Sequence, residues 1–270
     1  MILLLATYAV ALVAAVAGLL TYVKASRTPP NTRLGFRAAP ALVSKRVWVK
    51  VNRVVGVAAV VDAALVIPLS LLLDELSLFV YMVSSLTILE GAAALYSRAI
   101  LERETGLEPG GETPVRKLPT IEVSLKVVAT AFAVMLAAQV ALLGVREILP
   151  KEVAVHFNFS GEPDAYMDRD SFIALFSLLY LILVGTLSLL LLSCRGVPLI
   201  PEFKGYQERL ERVLSHALIA VSTLMPGVLL IIVHYNLYGR HPVNSSLATL
   251  ILLGTSLATL LIGLVKRSTN

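Results

Sequence analysis

The stretch ILLLATYAVALVAAVAGLLTYV, residues 2–23, is apolar over its whole length and contains no charged side chain. A helix needs about 20 such residues to cross the hydrocarbon core of a bilayer. Six further stretches meet this criterion, at about residues 54–73, 77–97, 123–145, 172–193, 213–235 and 247–265. The sequence therefore predicts an all-α fold, a polytopic bundle of seven transmembrane helices.

The composition excludes a water-soluble fold. Of the 270 residues, 57% are hydrophobic and 15% are charged, against about 45–50% and about 25% in ordinary soluble domains. So few charges cannot cover the exterior of a soluble protein of this size. The lipid bilayer is therefore the first partner. Cys194 is the only cysteine, which excludes an internal disulfide and a cysteine-based zinc site.

The positive charges predict the orientation. If the N-terminus is outside the cell membrane and the C-terminus is cytoplasmic, 19 of the 23 Lys and Arg residues fall in cytoplasmic segments. This distribution follows the positive-inside rule. The net charge of +5 is thus a consequence of topology, and we expect no direct binding to nucleic acid.

Glycine and proline predict the division of the chain. Residues 106–122 contain Gly106, Pro109, Gly110, Gly111 and Pro114, the composition of a linker. The sequence therefore predicts a three-helix region at 1–105, a cytoplasmic linker at 106–122 and a four-helix region at 123–270.

The first informative loop is cytoplasmic in this topology. It begins Asn31-Thr-Arg-Leu-Gly35-Phe-Arg37, and a helix is expected from about Ser44. At about 100° per residue one stripe of that helix faces protein and the opposite stripe is basic. The first stripe contains Trp48, Asn52 and Gly56, and the second contains Arg46, Lys50 and Arg53. Two interpretations stay open: an interfacial helix that fixes topology beside lipid phosphates, or a site for a ligand or partner.

The second informative loop is external in this topology. Large apolar residues occupy every second position from Val153 to Phe159, which predicts a short strand or hairpin at about 152–160. Residues 160–163 form a turn in this prediction, and Asp168 or Asp170 caps the next helix. The motif residues here are His156, Asn158, Gly161, Glu162, Pro163 and Asp164.

Three roles are open for this loop. A structural hydrogen-bond network and recognition of an external ligand are two of them. The third is a divalent cation held by His156, Glu162 and Asp164, since one imidazole with several carboxylate oxygens can bind such an ion; no other cofactor is expected. Asn158 and Asn244 each begin an Asn-x-Ser glycosylation sequon on the predicted outer side.

Both loops carry a resemblance. The external one resembles the family of unknown function numbered 1648 in Pro150, His156-Phe-Asn158, Gly161 and Pro163-Asp164. The cytoplasmic one resembles the SdpI family, multi-pass immunity proteins against a secreted killing factor, in Asn31, Gly35, Arg37, Trp48, Asn52 and Gly56. In relatives of this type the two regions share one chain in the opposite order. The resemblance implies a membrane sensor or immunity protein with an external peptide or toxin and a cytoplasmic repressor-like protein as partners.

Two carboxylates lie deep within predicted spans, where an ionised group costs about 3 kcal/mol or more. Asp62 and Glu90 should stand at one level of neighbouring antiparallel helices. Such a pair would share a proton or bridge a cation. Ser84, Ser85, Thr87 and Gln139 are further oxygen donors for it, and Pro226-Gly227 predicts a kink in the sixth helix.

Three functions remain open from the sequence. The first is a non-enzymatic sensor or immunity protein. The second is a small transporter, or a proton or cation pathway, that uses Asp62 and Glu90. The third is a metal-dependent membrane enzyme centred on His156. No motif of the common hydrolases or kinases occurs, so no catalytic residue is assigned.

Overall fold

The computed structural model describes residues 2–105, 118–158 and 160–241, together with 254, 255, 257–259 and 261. Among these residues the long elements are α1 (Ile2–Ala25), α2 (Lys45–Leu69), α3 (Glu75–Thr105), α4 (Leu125–Gly144), β1 (Glu152–Phe157), β2 (Pro163–Asp168), α5 (Arg169–Cys194) and α6 (Lys204–Tyr238). All six helices are long and apolar enough to cross a membrane. The all-α class is confirmed, and the chain is a multi-pass membrane protein.

Two sequence predictions fall largely outside the described residues. The seventh helix at 247–265 is described only at isolated positions, and Asn244 with its sequon is not described. The linker at 106–122 is described from residue 118 onward. Its last residues are paired with the chain after α5, since Ile121 N donates to Val197 O at 2.9 Å and Leu199 N donates to Pro119 O at 2.8 Å.

The chain divides into two compact units. The first contains residues 1–123 and 189–211, and the second contains residues 124–188 and 212–270. Each unit is therefore built from two separate stretches of sequence, and the division differs from the contiguous one suggested by the linker composition.

In the first unit, α1 and α2 approach closely because two glycines face each other. A Cβ atom added at Gly18 would lie 2.8 Å from Gly56 O, and one added at Gly56 would lie 2.6 Å from Gly18 O. Small residues at such a crossing let the backbones of membrane helices touch. A buried apolar cluster joins α1, α2 and α3 next to it and contains Ala11, Ala63, Val66, Leu78 and Met82.

Helix α2 begins in polar sequence, as expected, and Ser44 caps it. Val47 N donates to Ser44 Oγ at 3.1 Å, which satisfies one of the free N–H groups of the first turn. Helix α6 also begins earlier than the apolar span alone indicates, at Lys204. It remains one helix through Pro226 as far as Tyr238.

In the second unit, β1 and β2 form the hairpin, and the predicted strand is confirmed. Glu152 pairs with Asp168 at its base, and the register shifts after Ala154. Val153 and Ala154 are both fully buried, so the predicted alternation is wrong at this point. A residue inserted into one strand of a ladder displaces the faces of those beside it.

Helix α5 follows β2 directly. Of the two predicted caps, Asp168 is the one used: its Oδ1 accepts from the N–H groups of Asp170 and Ser171, both at 3.0 Å. These backbone hydrogen bonds, with Ser171 first, lower the pKa of the Asp168 carboxyl. The hairpin is thus joined rigidly to the first turn of the helix.

Candidate functional sites at the hairpin and the Gly35 loop

The turn of the hairpin is built by Asn158. Its Oδ1 accepts from Ser160 N at 2.9 Å and from Glu162 N at 3.0 Å. Its backbone N–H donates to Glu162 O at 2.9 Å, and Gly161 closes the turn with φ of +83°. A left-handed φ of this size favours glycine, because other residues carry a Cβ that is strained there. Asn158 and Gly161 therefore shape the loop.

The exposed face of the hairpin carries a paired imidazole and carboxylate. His156 Nδ1 is hydrogen-bonded to Asp164 Oδ1 across the strands. The two side chains are 70% and 44% exposed. Glu162 is also exposed. The described residues contain no group of three or more His, Cys, Asp and Glu side chains that could hold a metal ion, and the metal hypothesis gains no support from this geometry.

The hairpin is fixed to α6 by one amide side chain. Asn236 Oδ1 accepts from Ala154 N at 2.8 Å, and its Nδ2 donates to Ala154 O at 2.9 Å. Ala154 is 1% exposed, so these bonds satisfy both buried backbone groups at the point where the strand register shifts. Nδ2 also donates to Ile232 O at 2.9 Å, which holds the side chain against its own helix.

A second contact fixes the turn. His241 Nε2 donates to Gly161 O at 2.8 Å. The rings of Phe157, Tyr235 and His241 pack together with all three centroid distances at 4.7 Å. Sequence reasoning missed Asn236 and His241, since neither belongs to a motif. The sequence offered one indication of them. Two polar residues follow the apolar part of α6, at the end that is predicted to lie on the same side of the membrane as the hairpin.

The Gly35 loop, residues 31–37, is held by Asn52 of α2. Asn52 Oδ1 accepts from Phe36 N at 2.6 Å, while its Nδ2 donates to Trp48 O at 3.0 Å and to Phe36 O at 3.4 Å. Gly35 has φ of +86°, and a Cβ there would collide with Asn52 Oδ1. A glycine is therefore needed at position 35, because only a residue without a Cβ lets the loop backbone come this close to the side chain of Asn52.

The other motif residues of the loop divide into internal and exposed ones. Asn31 Oδ1 accepts from the N–H groups of Arg33 and Leu34, both at 3.0 Å, and shapes the start of the loop. Trp48 is 1% exposed and lies in the core, which confirms the stripe facing protein. Arg37 is exposed and donates from Nη1 to Thr32 O at 2.7 Å.

The two intramembrane carboxylates lie in different surroundings. Tyr81 Oη donates to Asp62 Oδ1 at 2.7 Å, and Ser85 Oγ donates to Asp62 Oδ2 at 2.8 Å. Glu90 lies on α3 and is exposed. Both oxygens of Asp62 are thus bonded to hydroxyl groups of α3.

The other oxygen-bearing side chains expected beside Asp62 and Glu90 also have different partners from one another. Ser85 reaches Asp62, whereas Thr87 Oγ1 donates to Val83 O of its own helix at 2.6 Å. Ser177 Oγ donates to Gln139 at 2.7 Å in the second unit. Ser84 Oγ is buried without a hydrogen-bond partner among the described residues.

The fold and these sites define a multi-pass helical membrane protein with a structured hairpin between two membrane helices. Residues 132–183 match the family model of a domain of unknown function, DUF1648. The match covers the later part of α4, the whole hairpin and the first half of α5, which is well under half of the chain. Comparisons with curated proteins and with solved structures found no match.

Proposed function

We propose that this protein is a non-enzymatic, SdpI-like membrane sensor or immunity protein. In this proposal the hairpin recognises an external peptide or small ligand, and the Gly35 loop signals to a cytoplasmic repressor-like protein. The observation that carries the proposal is the His156–Asp164 pair, which stands exposed on a hairpin that Asn158, Asn236 and His241 hold in one shape. Preorganised, solvent-accessible polar groups are the ordinary means of binding a polar ligand.

The distribution of Lys and Arg supports the orientation that this function needs. With the N-terminus outside, the hairpin lies outside and the Gly35 loop lies in the cytoplasm. Arg37 is the exposed cation of the loop motif, and its backbone oxygen accepts from Tyr206 Oη at 3.4 Å. A guanidinium on a fixed backbone suits recognition of a carboxylate on a partner protein.

Binding at the hairpin can be tested with displayed peptides. A phage-displayed peptide library is panned on the protein in lipid nanodiscs, with a His156→Ala/Asp164→Ala variant for counter-selection. We expect the selected peptides to bind at least about tenfold more weakly to His156→Ala, since a hydrogen bond to a charged group contributes about 1.5–3 kcal/mol. Lys151→Ala, an exposed substitution beside β1, is the control and should leave the affinity unchanged. Peptides that bind all variants equally would contradict recognition by the pair.

Signalling at the cytoplasmic loop has its own test. Proximity labelling in cells, with the labelling enzyme fused to this protein, reports the soluble proteins recruited to it. We expect Arg37→Ala to abolish that recruitment without lowering expression, while Arg33→Ala, an exposed change in the same loop, preserves it. Labelling that is identical in the two variants would argue against the loop as a signalling surface.

The transporter alternative depended on Asp62 and Glu90 acting together. Asp62 is bonded to Tyr81 and Ser85 instead, which favours a structural role for that carboxylate. The enzyme alternative depended on a metal at His156, for which the described residues supply no third ligand. Neither alternative has a specific observation in its favour, and neither is proposed.

A further inference from the structure

A cavity of about 360 Å³ lies between the first turns of α2 and the last turns of α3. Its lining combines three cationic side chains with an aromatic, an aliphatic and an acidic one: Arg46, Lys50, Tyr96, Ile100, Arg103 and Glu104. Ile100 is 7% exposed and Tyr96 is 39% exposed. The lining of the cavity therefore combines apolar surface with basic groups.

The charges of this cavity are not balanced. Glu104 forms an ion pair with Arg46, whose Nε lies 3.3 Å from Oε1, and its Oε2 accepts a hydrogen bond from Ser44 Oγ at 3.0 Å. Within the described part of the chain, no ion pair is formed by Lys50 or Arg103. The cavity therefore has a surplus of positive charge on side chains that can move toward a ligand.

The position of the cavity agrees with the depth of lipid headgroups. Helix α2 starts at Lys45 and α3 ends at Thr105, so the cavity lies where two adjacent spanning helices leave the membrane on the same side. Lys and Arg side chains bury their aliphatic stems along apolar surface and extend the charge to the interface. Tyrosine is enriched at the same level of a bilayer.

We propose that this cavity is a phosphate-binding site and that its ligand is the headgroup of an anionic phospholipid. Lys50, Arg103 and the exposed edge of Arg46 contact the phosphate oxygens, while Tyr96 and Ile100 contact the upper part of the acyl chains. Arginine and lysine are the side chains best suited to phosphate, through forked hydrogen bonds and a compact positive charge. An apolar wall beside the cations favours a lipid over a free anion.

Native mass spectrometry of the detergent-solubilised protein can test this site. Phosphatidylglycerol, phosphatidylcholine and inorganic phosphate are titrated separately, and the dissociation constant of each is measured for wild type and for Lys50→Gln/Arg103→Gln. A Lys24→Gln/Arg27→Gln variant removes the same charge from exposed positions outside the cavity and is the matched control. Because all four side chains are exposed, we expect both variants to fold. A thermal unfolding transition measured for each variant checks this.

We expect phosphatidylglycerol to bind more tightly than phosphatidylcholine. The cavity variant should lose about 30-fold in affinity for phosphatidylglycerol, which corresponds to about 1 kcal/mol for each cation. The control should lose less than about threefold, and high salt should weaken the specific binding. Inorganic phosphate should fail to displace the lipid.

Three results would overturn the assignment. Equal losses in the cavity and control variants would show a general attraction to positive charge. Equal affinities for phosphatidylglycerol and phosphatidylcholine would remove the headgroup charge as the reason for binding. Displacement by inorganic phosphate, with no preference between lipids, would assign the site to a soluble anion instead of a lipid.

Discussion

Replacing Asn52 with alanine should lower the free energy of unfolding by about 2–4 kcal/mol. Asn52 is fully buried, and its amide makes two hydrogen bonds to Phe36 that join α2 to the Gly35 loop and a third to Trp48 O within α2. Without it, the buried N–H of Phe36 loses its acceptor, and an unsatisfied buried donor costs about 1–3 kcal/mol. The loss of the longer hydrogen bond to Phe36 O and of the packing of the side chain accounts for the remainder of the expected decrease in the free energy of unfolding. Losing the hydrogen bond to Trp48 O costs least, because that carbonyl lies inside α2 and has a helical backbone partner.

The single tryptophan of the chain is the probe for this prediction. Trp48 is buried one turn from Asn52, so its fluorescence reports on the same contact during thermal unfolding in detergent. A loss of 2 kcal/mol should lower Tm by at least about 4 °C. Val54→Ala on the same helix, at an exposed position, should change the stability by less than about 0.5 kcal/mol. If both variants unfold at the wild-type temperature, Asn52 does not hold the Gly35 loop.

Three further changes probe other contacts. Asn236→Ala should speed hydrogen exchange at the Ala154 amide, because that buried N–H loses its acceptor; unchanged protection at that amide would show that the hairpin does not depend on α6. Gly56→Leu should lower Tm by separating α1 from α2, whereas Gly144→Leu, where nothing lies within 4 Å of the added Cβ, should not; similar Tm values for the two would argue against the glycine crossing. The pKa of Asp168 lies below its ordinary value of 3.8, so its cap should stabilise α5 above that pH and lose this effect as the pH falls through the lowered pKa. Asp168→Asn should remove that acid-dependent loss when unfolding is measured between neutral and strongly acidic pH, and an identical pH profile in the variant would contradict the role of the carboxylate.

Features that depend on one stretch of sequence could be predicted. The spans follow from the length of their apolar runs, and the cap at Ser44 and the turn at Gly161 follow from local preferences of serine and glycine. The protein-facing stripe with Trp48 and Asn52 follows from helical periodicity, and both side chains are buried. The His156–Asp164 contact could also be predicted, because a hairpin brings residues of its two strands together.

Features that depend on contacts distant in sequence could not be predicted. Nothing near Ala154 indicates that its backbone is satisfied by Asn236, which lies 82 positions later. The predicted strand alternation was wrong because the register shifts after Ala154, and such a shift leaves no periodic trace in the sequence. The sequence places Asp62 and Glu90 at one level of neighbouring helices, whereas the hydrogen bonds of Asp62 depend on which face of α3 turns Tyr81 and Ser85 toward it.

Cysteine labelling in intact cells shows whether the hairpin and the Gly35 loop face opposite compartments. In a Cys194→Ser background, Tyr166→Cys places a thiol at a position of the hairpin that is 58% exposed, and Arg33→Cys places one in the loop. A membrane-impermeant maleimide should label position 166 in intact cells and position 33 only after the membrane is opened. Labelling of both positions in intact cells, or of neither, would contradict the proposed topology and the sensor function that depends on it.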